Sequence, residues 1–211
     1  MKKTSNLFLT SRLALAIVAI VLCFSRLNSM ADDFNVIKAK AEAGNTGAQV
    51  YLGDMYMWGN GVVMNRVEAF KWYQKAAEAG NPGAQTRLGN MYYGGKGVAK
   101  NQAEAVKWYR KAAAAGERSA LVYIGALYHD GAIGGATNQV EAIKWYRKAA
   151  EAGDPTALRM VGIYFDRGLG GLTKDHAEAI KWYRKAAEAG DPHCAVYLQS
   201  TSKTNTAKVS Q

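Results

Sequence analysis

Chemistry in this chain would have to be built from few parts. There are three histidines, His129, His176 and His193, and two cysteines, Cys23 and Cys194. A metal site needs two or three such ligands converging on one point. His176 and His193 fall at opposite ends of one predicted helix, about 25 Å apart at a rise of 1.5 Å per residue. His193-Cys194 is a lone adjacent pair. The stretch Gly95-Lys96-Gly97-Val98-Ala99-Lys100 imitates the start of a dinucleotide-binding loop, but it lacks the third glycine and follows no strand pattern. No serine, histidine and aspartate, or cysteine and histidine, stand in an arrangement suited to nucleophilic catalysis. The acidic residues spaced before lysines fit helix caps. The reading is therefore of a protein that is not an enzyme, with no catalytic, cofactor-binding or metal-binding residues.

The elements that would position any site are repeats. Lys71-Trp72-Tyr73-Gln74-Lys75-Ala76-Ala77 returns at Lys107, Lys144 and Lys181, and its tryptophans step by 36, 37 and 37 residues. A fixed period of this length signals stacked supersecondary units. Four full units are predicted at 48–83, 84–119, 120–156 and 157–193. A capping half-repeat over 32–47 precedes them. The start of a further first helix over 194–199 closes the array, and 200–211 is read as a disordered polar tail. The fold class is all-α.

Each unit opens with a first helix on the frame Ala48, Leu52, Gly53, Met55, Tyr56, which recurs at Ala84, Ala120 and Ala157. Apolar residues at i, i+4, i+7 and i+8 share one helix face. A glycine inside a helix costs about 1 kcal/mol against alanine, so close approach of the second helix is expected at Gly53, Gly89, Gly125 and Gly162. A glycine turn follows, one residue longer in units three and four. The second helix starts with Asn65 and Glu68, Asn101 and Glu104, Asn138 and Glu141, or Asp175 and Glu178, all at capping-box spacing. Gly44, Gly80, Gly116, Gly153 and Gly190 fall just past the second helices, where a left-handed cap is needed. The Trp-Tyr pairs read as core residues rather than a stacking platform, because Trp72, Tyr73 and Ala76 share a face.

The formal net charge is +10. Lys2, Lys3 and Arg12, the apolar run Leu13–Phe24 and Ser29-Met30-Ala31 follow the plan of a secretory signal over residues 1–31. The apolar run is shorter than the roughly 20 residues that span a bilayer. An uncleaved anchor is the alternative. Cleavage after Ala31 would lower the charge from +10 to +6 by removing Lys2, Lys3, Arg12 and Arg26. It would leave Cys194 as the one thiol. Cys194 stands where other units carry alanine, so burial is expected. The basic stripe of the second helices reads as a solvated face, since Glu68, Glu104, Glu141 and Glu178 pair with lysines. Neither nucleic-acid binding nor membrane insertion after cleavage is expected.

The motif Ala-x-x-x-Leu-Gly-x-x-Tyr, then Gly-x-Gly-Val, then Ala-x-x-Trp-Tyr-x-Lys-Ala-Ala-Glu-x-Gly resembles the Sel1-like repeat, a relative of tetratricopeptide arrays. The likeness runs from Asp32 to about Gln199. It implies a right-handed α-solenoid of helix-turn-helix repeats whose first helices line a concave surface. It also implies a scaffold or adaptor for protein–protein contact, often bacterial and often exported. Some cysteine-rich secreted members are linked to weak β-lactam chemistry, but this chain lacks their paired helix-linking cysteines. The expected partner is another protein or peptide in the bacterial envelope or a host, with a periplasmic or secreted location. A weak β-lactam- or peptidoglycan-acting enzyme and a purely structural assembly module, bridged through Cys194, are the alternatives. First-helix positions off the core face would form the binding surface: Asp54, Met57, Trp58, Asn90, Tyr93, His129, Arg159 and Asp166. Met57, Trp58 and Tyr93 would carry affinity there, and the polar residues would set selectivity.

Overall fold

A computed structural model describes residues 33–133 and 135–199. The expected signal segment and polar tail lie outside the described residues. Among those residues there are helices and no strands. The helices are α1 (33–42), α2 (Thr46–Trp58), α3 (Arg66–Glu78), α4 (Pro82–Gly94), α5 (Gln102–Ala114), α6 (Arg118–His129), α7 (Gln139–Glu151), α8 (Pro155–Arg167), α9 (His176–Glu188) and α10 (192–199). The all-α helix-turn-helix fold expected from the period is the one observed. No described helix is long and apolar enough to cross a membrane.

The ends of the helices follow the cap chemistry of the sequence. Asn45, Asn81 and Asp154 accept the backbone N–H three residues on, at the starts of α2, α4 and α8. The glycine past each second helix is left-handed, for example Gly80 at φ 90°. The second-helix caps are made only in part as a capping box. Asn65, Asn101, Asn138 and Asp175 do accept from the N–H of the glutamate three residues on. The glutamates do not reach back. The N–H of each cap residue is already donated to the preceding first helix, at Tyr56, Tyr92, Tyr128 and Phe165 carbonyls, 2.8–2.9 Å away. Each glutamate instead accepts from the lysine three residues on, such as Lys71 to Glu68 at 2.6 Å.

The chain divides into two compact units, residues 1–75 and 76–211. In the first, Ala41, Leu52, Met55 and Trp72 form a core, with Phe34, Ile37, Ala48, Tyr56 and Val62 against it. In the second, α4 packs on α5, α6 on α7 and α8 on α9. One of its clusters centres on Tyr109, Ile124 and Leu127. Another centres on Tyr146, Val161 and Tyr164. The close approach predicted at the helix glycines is present in every repeat. A Cβ built on Gly53 would lie 2.5 Å from Tyr73 Cε1, and on Gly89, Gly125 and Gly162 it would lie 2.6, 2.8 and 2.5 Å from Tyr109, Tyr146 and Tyr183.

Within the Trp-Tyr pairs the tyrosine is the deeper residue. Tyr73, Tyr109, Tyr146 and Tyr183 are buried in all four repeats, whereas only Trp72 among the tryptophans is. Trp108, Trp145 and Trp182 are half-buried. Lys75, Lys111, Lys148 and Lys185 lie over the four indoles at 4.2–4.7 Å from the ring centroids. Lysine three residues on is within reach along a helix face, so the basic stripe roofs the aromatic one.

Candidate functional site

Position 57 and its equivalents sit one turn after the glycine of closest approach, so they share its stripe. Met57 is accordingly 8% exposed. This corrects the expectation that it stands free on a binding surface. Tyr93, its counterpart in α4, is half-buried against the Tyr109 cluster. Trp58, by contrast, is 68% exposed at the end of α2.

The polar candidates are largely held by their own chain. Asp54 accepts a hydrogen bond from Tyr73 Oη at 2.6 Å, and Asn90 accepts one from Tyr109 Oη at 2.7 Å. His129 Nδ1 shares a hydrogen bond of 2.7 Å with Tyr164 Oη. Asp166 accepts from His176 Nδ1 at 2.7 Å. Arg159 Nε donates to Asp191 Oδ2 at 2.9 Å. Sequence reasoning missed these partnerships. One signal for them exists: the Asp54–Tyr73 and Asn90–Tyr109 pairs have the same separation of 19 residues.

Two of these candidates, Arg159 and Asp166, do come together in an open cleft of about 280 Å³ in the second unit. Helix α8 supplies Arg159, Ile163 and Asp166, α9 supplies Tyr183, and α10 supplies His193, Cys194 and Tyr197. The local sequence places each one. Asp191 caps α10 by accepting from Cys194 N–H at 2.9 Å, and with its other oxygen it fixes the Arg159 guanidinium. Burial alone would push the Asp191 carboxyl up. The Cys194 N–H and the Arg159 charge outweigh that and hold it below its ordinary value. Tyr183 stacks edge-on to Tyr197, ring centroids 5.3 Å apart. Burial raises the Tyr183 hydroxyl to about 12, with Asp166 adding to the shift.

Cys194 is 2% exposed, as its place in the alanine register predicted, and burial pushes its thiol up to about 11. A thiol so placed is a poor nucleophile. No group of three histidine, cysteine, aspartate or glutamate side chains among the described residues could hold a metal ion.

The arrangement suits a ligand that lays apolar surface into the cleft and meets a few fixed polar groups. The Sel1 repeat family model matches four times, at residues 46–81, 82–117, 118–154 and 155–191. Each copy begins at or beside a first helix, two residues before the alanine frame. Among solved structures, a protective antigen present in uropathogenic Escherichia coli strains and displaying an SLR fold is 38% identical, with a TM-score of 0.70. That match covers 78% of this chain and 35% of the antigen, so the chain spans about a third of its length. A Sel1 repeat protein from Oxalobacter formigenes is 35% identical at a TM-score of 0.69, covering 82% of this chain and 73% of that one. An immunity protein from Pseudomonas aeruginosa, 22% identical with a TM-score of 0.54, covers 77% of this chain and 59% of its own, and shares the fold. A search of the curated proteins finds no match.

Proposed function

The chain belongs to the Sel1 repeat family, a protein-interaction scaffold type, and from that premise we propose that it is an exported adaptor. In this reading it holds a segment of another protein in the bacterial envelope or outside the cell, and it catalyses no reaction. The observation that carries the reading is the contrast between positions within one repeat. Positions where the helices lock together are the same in all copies: alanine at 69, 105, 142 and 179 is fully buried each time. Positions of the first helices that keep some exposure differ in every copy: Asp54, Asn90, Ala126, Ile163 are half-buried in one row, and Trp58, Gly94, Asp130, Arg167 are exposed in another. A scaffold repeated for its packing and varied from one first helix to the next is built to distinguish partners rather than to turn over a substrate.

Export is supported by the basic start, apolar run and small residues of the first 31 positions. It is tested by fractionating cells and sequencing the N-terminus of the recovered protein. A product beginning at Asp32 in the periplasm or medium is expected, and a full-length cytosolic product would contradict it. The adaptor reading is tested by cross-linking the exported protein in an envelope fraction and titrating the partner recovered. Saturable binding by the purified pair is expected. Turnover of a chromogenic β-lactam, lost on changing a single residue, would contradict the absence of catalysis.

A further inference from the structure

The tyrosine that locks each repeat has a hydroxyl to satisfy, and the repeats satisfy it differently. In the first two, Tyr73 and Tyr109 donate to Asp54 and Asn90. In the fourth, the residue at that position is Ile163, which accepts nothing. Tyr183 is 8% exposed, lines the cleft, and its hydroxyl has no hydrogen-bond partner among the described residues. A donor without an internal partner that opens onto a cleft is free to give its hydrogen bond to a ligand's acceptor. The same substitution that orphans the hydroxyl puts an apolar side chain beside it.

We propose that this cleft is a subsite for an extended peptide segment. One apolar side chain lies against Ile163 and Tyr197, and the adjoining backbone carbonyl accepts from Tyr183 Oη. The inference rests on the adaptor reading and names the chemistry of its ligand. Two contacts favour an uncharged peptide unit over an anionic group. The Arg159 cation is already paired with the Asp191 carboxylate and is not free to take an anion, and the Asp166 carboxylate, hydrogen-bonded to His176, would repel one. His193 also stands near Asp191, at 3.8 Å. The carbonyl of an amide therefore meets the donor without bringing a charge that the walls do not balance. The volume is sufficient: a cavity of roughly 150 Å³ already holds a benzene ring, and this one is about 280 Å³ and open.

The test uses the full chain, labelled with nitrogen-15, and the probe N-acetyl-L-phenylalaninamide. Amide shifts within 159–166 and 193–198 should saturate. Tyr183→Phe should keep the fold, because the lost hydroxyl has no internal partner, and should weaken the probe about fivefold or more, the effect of one hydrogen bond. Ile163→Asn should abolish binding by giving Tyr183 the internal acceptor that Asn90 gives Tyr109 at 2.7 Å. N-Acetyl-L-phenylalanine, which carries a carboxylate, should bind more weakly than the amide. Shifts elsewhere in the chain, no saturation, equal binding by Tyr183→Phe, or tighter binding of the acid would each overturn the proposal. A protein partner bound as well by Ile163→Asn as by the wild type would overturn this subsite while leaving the adaptor reading in place. Absence of any protein partner would sink that reading without touching the probe result.

Discussion

The ring of Tyr109 occupies the space that a side chain at Gly89 would need. A Cβ there would stand 2.6 Å from Cε1 and 2.7 Å from Cδ1 of the ring. Real Cβ atoms do not come that close to a buried ring, so the two helices of the repeat touch through the absence of a side chain. Alanine at this position gains about 1 kcal/mol of helix propensity and loses about 1–3 kcal/mol to overpacking. Gly89→Ala should therefore lower stability in denaturant melts despite the better helix former. Combined with Tyr109→Leu, the loss should be smaller than the sum of the two single changes, since both act on one contact. Strict additivity would mean the contact is not the cause.

Two hydroxyl deletions that look alike in sequence should behave differently. Tyr109→Phe leaves Asn90 without its donor and should cost about 0.5–1.5 kcal/mol. Tyr183→Phe breaks no bond among the described residues and should cost close to nothing. Urea melts of the two variants check this. Equal losses would show that Tyr183 has a partner in solution.

The framework was legible in the sequence because it is written four times. The period, the helix frame, the left-handed glycines and the tight contact at Gly53 all follow from patterns that recur in register. What was not legible are the departures from the pattern and the contacts between distant positions. Met57 reads as a surface residue until its place on the Gly53 stripe is seen in three dimensions. The Arg159–Asp191 and His129–Tyr164 contacts join residues 32 and 35 positions apart, in single copies that no periodicity marks. The same holds for the cleft, which exists because α10 begins with a buried cap at Asp191 and Ile163 replaces a polar residue.

Acid should loosen the last helix. The folded Asp191 carboxyl lies below its ordinary value, so its contribution is complete above the unfolded value of about 3.9 and is lost as pH falls through the folded one. Asp191→Asn can still cap α10 but cannot pair with Arg159 as an ion. The variant should melt below the wild type at pH 7, and the gap should close towards pH 2. A gap that does not change with pH would mean the ion pair contributes nothing.

The tryptophans should separate by depth. Trp72→Ala removes a buried indole and should cost about 3–5 kcal/mol. Trp145→Ala removes a half-buried one roofed by Lys148, 4.7 Å from the ring centroid, and should cost less. Part of that smaller loss is the cation–π contact, about 0.5–1 kcal/mol at an exposed site. Acrylamide quenching of single-tryptophan variants gives the independent check: Trp72 should be the more shielded.

The central claim is that partners are held by the varied surface of the first helices and not by the basic second helices. Calorimetric titration of the recovered partner against three proteins tests it most directly, with circular dichroism as the folding control. Trp58, 68% exposed and large, has the character of an interface anchor. Trp58→Ala should fold normally and weaken binding by about 2 kcal/mol or more, the scale of a hot spot, while Lys148→Glu should bind as the wild type does. Unchanged binding by Trp58→Ala together with loss of binding by Lys148→Glu would place the partner on the second helices and contradict the account.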